Sequence, residues 1–320
     1  MTSRFRGQVV VVTGASSGIG RATAHAFAEA GAHVVLAARG RESLEAAAEE
    51  CRARGAEALA VPTDVSDAEQ VRALVAATIA RFGHIDVFVG NAALFAYGLF
   101  EQVPDDAFRR VVETNLFGHV NGIRAVLPHF RERGRGTYVL VGSIQSLLSA
   151  PYQSAYVTSK HAALGLADVL GDEFRGTDIH FPMVLPSTID TPIYQHGANY
   201  TNQNSHPMPP VVSPQRVAKA IMRAVVHPKR NTYVGLAQAA LVPLEFALPP
   251  LFHAITRPAV EIFALRGHGA PSDGNLYGPD DASNATDGGW RASARRKWVP
   301  VVLGAAAVGV VALAGGRSRR

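Results

Sequence analysis

Gln8-Val9-Val10-Val11-Val12-Thr13-Gly14-Ala15-Ser16-Ser17-Gly18-Ile19-Gly20 runs from an apolar, β-branched stretch straight into three glycines, and an alanine-rich stretch follows to about Ala30. The valines read as a strand buried on both faces. Glycine permits a tight turn and lets the backbone come close to a phosphate. The helix that follows offers unpaired N–H groups and the positive end of its dipole. Strand, glycine loop and helix in this order form a cradle for a pyrophosphate.

Six further apolar runs follow, at 33–38, 57–62, 86–90, 137–143, 180–185 and 231–234. Helical patterns at 42–54, 67–82, 105–116 and beyond, and 213–227 separate most of them. The alternation predicts a doubly wound α/β domain with a mostly parallel, seven-stranded, Rossmann-like sheet. Tyr156-Val157-Thr158-Ser159-Lys160 lies on a helix that follows the fifth strand. Residues four apart share a helix face, so the Tyr156 phenol and the Lys160 ammonium lie side by side. A fixed cation favours the phenolate and draws its pKa from about 10 toward the working range. Ser143 ends the fifth strand, at the crevice where open α/β sheets bind ligands. Asn115 lies inside a helical pattern, where an asparagine is mildly unfavourable and often has a local task.

These motifs, in this order, resemble the short-chain dehydrogenase/reductase family in its single-domain form, over about residues 7–235. The resemblance implies hydride transfer between a carbonyl and a secondary alcohol. Tyr156 would exchange the proton and Ser143 would orient the substrate oxygen. Lys160 would tune the phenol and hold a ribose, and Asn115 would keep a water in a proton relay. Gly14, Ser16, Ser17, Gly18, Ile19 and Gly20 would cradle the cofactor phosphates. Asp64 would contact the adenine amino group and Val65 would pack on the ring. The plainer alternative is that Asp64 only begins a turn, or that Ser66 caps the next helix. The family's Asn-Asn-Ala-Gly is Gly90-Asn91-Ala92-Ala93 here, and Asn91 would still tie the central strand ends together. Pro186 is followed by Ser187 in place of the usual glycine. Thr188 and Ile189 would reach the nicotinamide carboxamide, with Thr191 close by. Gln145, Leu147, Leu148 and Tyr152 are candidate substrate-pocket residues. The family also implies a homo-oligomer.

Cofactor choice turns on Ala37-Ala38-Arg39-Gly40-Arg41. An acid here would bind the ribose hydroxyls of NAD and repel a 2′-phosphate. The chain has two arginines instead, and guanidinium pairs well with phosphate. NADP(H) is the expected cofactor, with Arg39 as its contact; the alternative is that both arginines are surface residues of a helix start. The competing functional class is a nucleotide-sensing or membrane-tethered binding protein on a retained fold.

The 320 residues are 48% hydrophobic and 18% charged, which allows a substantial core. Eight Lys/Arg and four Asp/Glu follow residue 265, so the formal charge of +5 belongs mostly to the tail and does not point to a nucleic-acid surface. Cys51 is the only cysteine, which excludes an internal disulfide or a cysteine metal cluster. The start of the chain lacks a secretory signal pattern. Residues 194–212 read as an irregular substrate lid, with His196 and His206 as solvated loop histidines rather than metal ligands. The catalytic domain is taken as 1–265. Its apolar stretch 236–265, interrupted by prolines, covers the pocket or lies on a membrane interface. Residues 266–297 read as a flexible linker. The apolar run 298–316, with basic flanks, reads as a membrane-anchoring helix that would leave the catalytic domain in the cytoplasm; a dimer-packing helix or a loose tail are the alternatives. A lipophilic substrate would suit such a chain.

Overall fold

The computed structural model describes residues 4–280 and 284–291. The glycine-loop unit forms as its sequence dictates, as β1 (Val9–Thr13) and α1 (Gly18–Glu29). It is followed by β2 (His33–Ala38), α2 (Arg41–Ala53), β3 (Ala58–Pro62), α3 (Ala68–Phe82) and β4 (Val87–Gly90). The short β5 (Ala96–Tyr97) precedes α4 (Asp105–Val112) and α5 (Gly118–Arg133). Then come β6 (Arg135–Val141), α6 (Ser154–Glu173), β7 (Asp178–His180) and β8 (Met183–Pro186). The remaining elements are α7 (Ile193–His196), β9 (Ala198–Asn199), β10 (Asn204–Ser205), α8 (Pro214–Val226), β11 (Asn231–Val234), α9 (Leu236–Ala239), α10 (Val242–Ala247), α11 (Pro249–Phe263) and β12 (Leu265–Arg266).

The main sheet runs β11-β8-β6-β4-β1-β2-β3, with every pairing parallel. Strand alternation explains its two cores. Val10, Val12, Val34 and Leu36 face one side, with Phe27, Leu44 and Ile221 from α1, α2 and α8. Val11, Val35, Phe88 and Leu140 face the other, with Leu74, Ile123 and Ala163 from α3, α5 and α6. Both faces are covered, which is why these strands read as unbroken apolar runs. The strand order reverses between β1 and β4, and the crevice at their carboxyl ends is the ligand position of this architecture.

The sixth expected strand is broken. β7 pairs with Arg135–Thr137 of β6 and β8 with Leu140 and Val141, on the same side of the sheet. Pro182 sits in the break; it lacks an N–H to continue the ladder, but its carbonyl still accepts from Leu140 N at 3.0 Å. The helical region begun at 105 is continuous, with a π-turn over Glu113–Phe117 between α4 and α5.

The later segments depart most from expectation. The 194–212 stretch is not a free lid. Two short ribbons tie it down, β9 against β5 and β10 against β12. In 236–265, Pro249 and Pro250 start α11, because proline is tolerated in a first helical turn, and Pro258 lies within it. This helix turns Phe252 and Val260 inward and leaves Phe246 of α10, Leu248, Leu251 and Ile262 outside. The expected linker 266–297 is, over its described residues, packed onto the domain. Leu276 is fully buried there, and the Asp190 carboxylate accepts from the N–H groups of Gly288, Trp290 and Arg291. Within it, Gly278 O and Gly288 N take part in backbone bonds, and Asp273 accepts from the Tyr200 hydroxyl at 2.8 Å. The apolar run 298–316 lies outside the described residues. Among the described residues no helix is long and apolar enough to cross a membrane.

Phe252→Ala should lower stability by about 3 kcal/mol in denaturant titration, through the transfer and cavity terms. Phe246→Ala, on the outer face of the same helical unit, should change it by no more than about 0.5 kcal/mol. Equal effects would contradict the packing described for residues 236–265.

Candidate active site

The glycine loop is fixed by close approaches that a side chain would prevent. A Cβ on Gly20 would lie 2.1 Å from the Gly14 carbonyl oxygen, and one on Gly14 would lie 2.8 Å from Ala92 Cα. Gly14 also has φ +63°, a left-handed conformation suited to glycine. Asn91 ties the loop to β4. Its Nδ2 donates to the carbonyls of Thr13 (2.9 Å) and Gly14 (3.3 Å). Thr13, missed in the sequence reading, completes the tie, since its hydroxyl accepts from Asn91 N and Ala92 N. Gly90 leaves room where the family has an asparagine. A Cβ there would lie 2.5 Å from the Tyr138 hydroxyl and 2.6 Å from His119 Nδ1. His119 is buried, and burial pushes its pKa down to about 3, so it is neutral.

A cleft of about 190 Å³ opens over this loop. Gly14, Ser16, Ser17, Gly18, Ile19, Arg39, Asp64, Val65, Asn91, Tyr156, Lys160 and Thr191 all line it. Four expected cofactor residues do not. Gly20 acts through the loop fold, Pro186 ends β8, and Ile189 is buried in the core. Thr188 lines the neighbouring cavity instead. Arg41 is exposed on α2 and away from the cleft, whereas Arg39 lies on the cleft wall. Asp64 is bound by the Ser66 N–H and hydroxyl and by Arg110. Burial raises its pKa, but the bonds from Arg110 and Ser66 outweigh that and hold the carboxyl below its ordinary range. Ser66 does not cap α3; Asp67 does, accepting from Glu69 N and Gln70 N. The cradle fits a dinucleotide: glycines that bring the backbone to the cleft, a helix N-terminus and, among the described residues, a half-buried guanidinium with no carboxylate bonded to it.

The four expected catalytic residues converge at the carboxyl end of β6. Ser143 and Tyr156 line the same cavity, and the Ser143 hydroxyl accepts from Gln145 N at 3.1 Å. Lys160 Nζ donates to the Val141 carbonyl at 3.0 Å and lies 5.6 Å from the Tyr156 ring centre. Asn115, fully buried in the π-turn, is an anchor. Its Oδ1 accepts from Leu94 N at 2.7 Å, while Nδ2 donates to Leu94 O and to Ser159 Oγ, both at 3.0 Å. The Ser159 hydroxyl donates in turn to the Tyr156 carbonyl at 2.7 Å. The side chain of Asn115 therefore positions the Tyr156 helix turn rather than reaching toward the lysine.

The electrostatics correct one expectation. Burial pushes the Tyr156 phenol up to about 12, with the nearby Ser143 hydroxyl pulling the other way. Burial likewise brings Lys160 down to about 8. Desolvation of two enclosed groups outweighs the attraction that the Tyr-x-x-x-Lys spacing promises. The protein alone thus holds a protonated phenol beside an easily discharged ammonium.

A second cavity, of about 250 Å³, meets the first at Tyr156. Its walls are Phe95, Tyr97, Ile144, Leu148, Met208, Phe252 and Val260, with Ser143, Gln145, Gln153 and Thr188 among the polar groups. Gln145 donates to the Gln153 amide oxygen, and Gln153 Nε2 to the Tyr97 hydroxyl at 3.2 Å. Tyr152 was expected here and is not. Its φ of +66° turns the ring away, and its hydroxyl donates to Glu261 at 2.8 Å. Leu147 also lies outside, whereas Leu148 is a wall. Phe95, Tyr97 and Gln153 escaped sequence reading because they come from loops and a two-residue strand without periodicity. His196, expected in solvent, is buried, with Nε2 3.7 Å from Asp280. Among the described residues no group of three or more His, Cys, Asp or Glu could hold a metal.

The family model described as short chain dehydrogenase matches residues 8–200. The chain is 35% identical over 252 residues to the uncharacterized oxidoreductase YxnA of Bacillus subtilis, covering 78% of this chain and 71% of that one. It is 34% identical over 235 residues to 11-beta-hydroxysteroid dehydrogenase A of Sesamum indicum, covering 70% and 67%. Among solved structures, a short chain dehydrogenase/reductase from Burkholderia phymatum in complex with NAD superposes with a TM-score of 0.70 at 26% identity, covering 84% of this chain and 98% of that one. An alcohol dehydrogenase from the archaeon Thermococcus sibiricus, complexed with 5-hydroxy-NADP, gives 0.63 at 29% identity, covering 71% and 95%.

The Lys160 position sets a pH dependence. Catalytic efficiency in the reducing direction should be level between pH 6 and 7. It should fall as pH rises through about 8, where the ammonium of the free enzyme is lost. A profile level to pH 10 would contradict the assignment.

Proposed function

The chain belongs to the short-chain dehydrogenase family of oxidoreductases, and on that footing we propose that it interconverts a lipophilic ketone and its secondary alcohol with NADP(H). The observation that carries this reading is the placement of Tyr156. Its side chain lines both the cleft over the glycine loop and the apolar cavity, where Ser143 is a fellow lining residue.

When bound, the nicotinamide supplies a hydride to the carbonyl carbon, or receives one in the reverse direction. The protein's part is to hold the oxygen and move its proton. Ser143 orients the carbonyl oxygen, and Tyr156 donates its phenolic proton to that oxygen as negative charge develops. Lys160, fixed on Val141, stabilises the phenolate that results. Asn115 and Ser159 keep the helix turn in register, so the phenol meets the substrate without searching. The phenol's raised pKa suits the protonated form that reduction requires.

NADP(H) over NAD(H) rests on Arg39, which lines the cleft at the end of β2 where no acid stands. A lipophilic substrate rests on the aromatic and aliphatic walls added by α11. The sesame relative's steroid name is compatible with that class.

NADPH oxidation followed at 340 nm, against ketones of increasing ring number and chain length, tests the reading. Turnover should rise with lipophilicity. Tyr156→Phe should reduce kcat at least about 10²-fold, while NADPH affinity changes by less than about threefold. Better turnover on small polar ketones would overturn the substrate class. Tight NADPH binding without turnover on any carbonyl would favour a nucleotide-sensing protein.

A further inference from the structure

Residues 270–291, over their described part, lie across the cofactor cleft and hold it at three points. At the end of β2, Arg39 Nη1 donates to the Leu276 carbonyl at 2.9 Å, and Nη2 donates to the carbonyls of Asn275 (2.5 Å) and Gly278 (3.1 Å). At the start of α1, Gly18 N donates to the Ala285 carbonyl at 3.0 Å, and Arg21 Nη1 to the Asn284 carbonyl at 2.6 Å. Beyond β8, the Asp190 carboxylate accepts three backbone N–H groups of residues 288–291 at 2.8–3.1 Å. Asn275, Pro279, Asp280 and Asn284 line the same cleft as the glycine loop.

The 275–278 turn is firmly seated. Leu276 is fully buried, and the Tyr277 hydroxyl donates to Asp106. Arg39 is thereby locked in one orientation by three neutral carbonyls. Of its five N–H groups, Nε–H and one on Nη1 remain unused by these bonds. Among the described residues no carboxylate lies within ion-pair distance of Arg39, and nearby Asp64 is occupied by Arg110. A half-enclosed guanidinium with neutral partners and spare donors on a cleft wall is a charge oriented for an anion.

We propose that the backbone carbonyls of residues 275–278 determine cofactor specificity, by holding the Arg39 guanidinium as a fixed charge with a spare N–H beside the position of the 2′-phosphate of NADP(H). This rests on the cofactor reading above and adds to it. A specificity contact of β2 is positioned by a segment about 236 residues further along the chain. Without the turn, Arg39 regains its rotamers and must lose them again on binding, so the penalty falls on the phosphorylated nucleotide alone.

The test is a double-mutant cycle on the full chain, with Kd for NADPH and NADH from fluorescence titration of wild type, Leu276→Ala, Arg39→Gln and the double variant. Leu276→Ala should weaken NADPH roughly tenfold and NADH by less than about twofold, and in the Arg39→Gln background it should add nothing further. If Leu276→Ala fails to fold, the surface variant Tyr277→Phe loosens the same turn and should show the same pattern at about threefold. Equal losses for both nucleotides, additive losses in the double variant, or tighter binding of both would overturn the proposal while leaving the cofactor reading intact. Wild type that binds NADH more tightly than NADPH would overturn the cofactor reading, and this inference with it.

Discussion

A lysine ammonium that is 2% exposed, with a backbone carbonyl as its bonded partner, is the costliest group in this fold. Everything at the carboxyl edge of the sheet serves to place it. Val141 is the last residue of β6, and β6 is held between β4 on one side and β7 and β8 on the other. On the same face of the sheet, Asn115 reaches from the π-turn to the backbone of Leu94 and to Ser159, one residue before the lysine. The same burial that makes the ammonium expensive makes it responsive. Burial brings it down to about 8, beside a phenol whose pKa burial raises.

Around this fixed centre the chain builds two chambers of different character. The cleft proposed for the nucleotide is lined by the glycine loop, the end of β2 and part of the segment 270–291, a strap across it, with polar groups beside apolar ones. The cavity proposed for the substrate is made by the loop after β4, the loop after β6 and the helices α9 and α11, and its contacts are mostly aromatic and aliphatic side chains. Tyr156, Phe95 and Ile193 belong to both. The core sheet is thus supplemented by two later segments, each roofing one chamber.

How much of this was legible follows from what each element uses to hold itself. β1 to β4 and β6 are apolar on both faces, so their runs are unmistakable. Gly14 and Gly20 are visible because a backbone approach as close as 2.1 Å admits no side chain. Asn115, Ser143, Tyr156 and Lys160, which the structure brings together, were legible as a set through spacing and order. Tyr152 misled because a positive φ, which no pattern announces, turns it outward. The strap was read as a linker because it carries almost no periodicity. It is held by carbonyls donated to from Arg39 and Arg21 and by N–H groups bound to Asp190, and backbone bonding of that kind leaves no mark in composition. The tyrosine–lysine attraction was read correctly as a spacing but not as an energy. Desolvation of both groups depends on enclosure that one helix cannot reveal.

The central claim is that Tyr156 governs delivery of hydride to a lipophilic carbonyl bound in the second cavity. Incubation with NADPH deuterated at the nicotinamide C4 and a polycyclic ketone, with mass spectrometry of the product, tests it most directly. The account predicts one deuterium at the new carbinol carbon with wild type, and none above background with Tyr156→Phe. Alcohol formed without deuterium from either C4 epimer, or the same labelled yield from the variant, would contradict it.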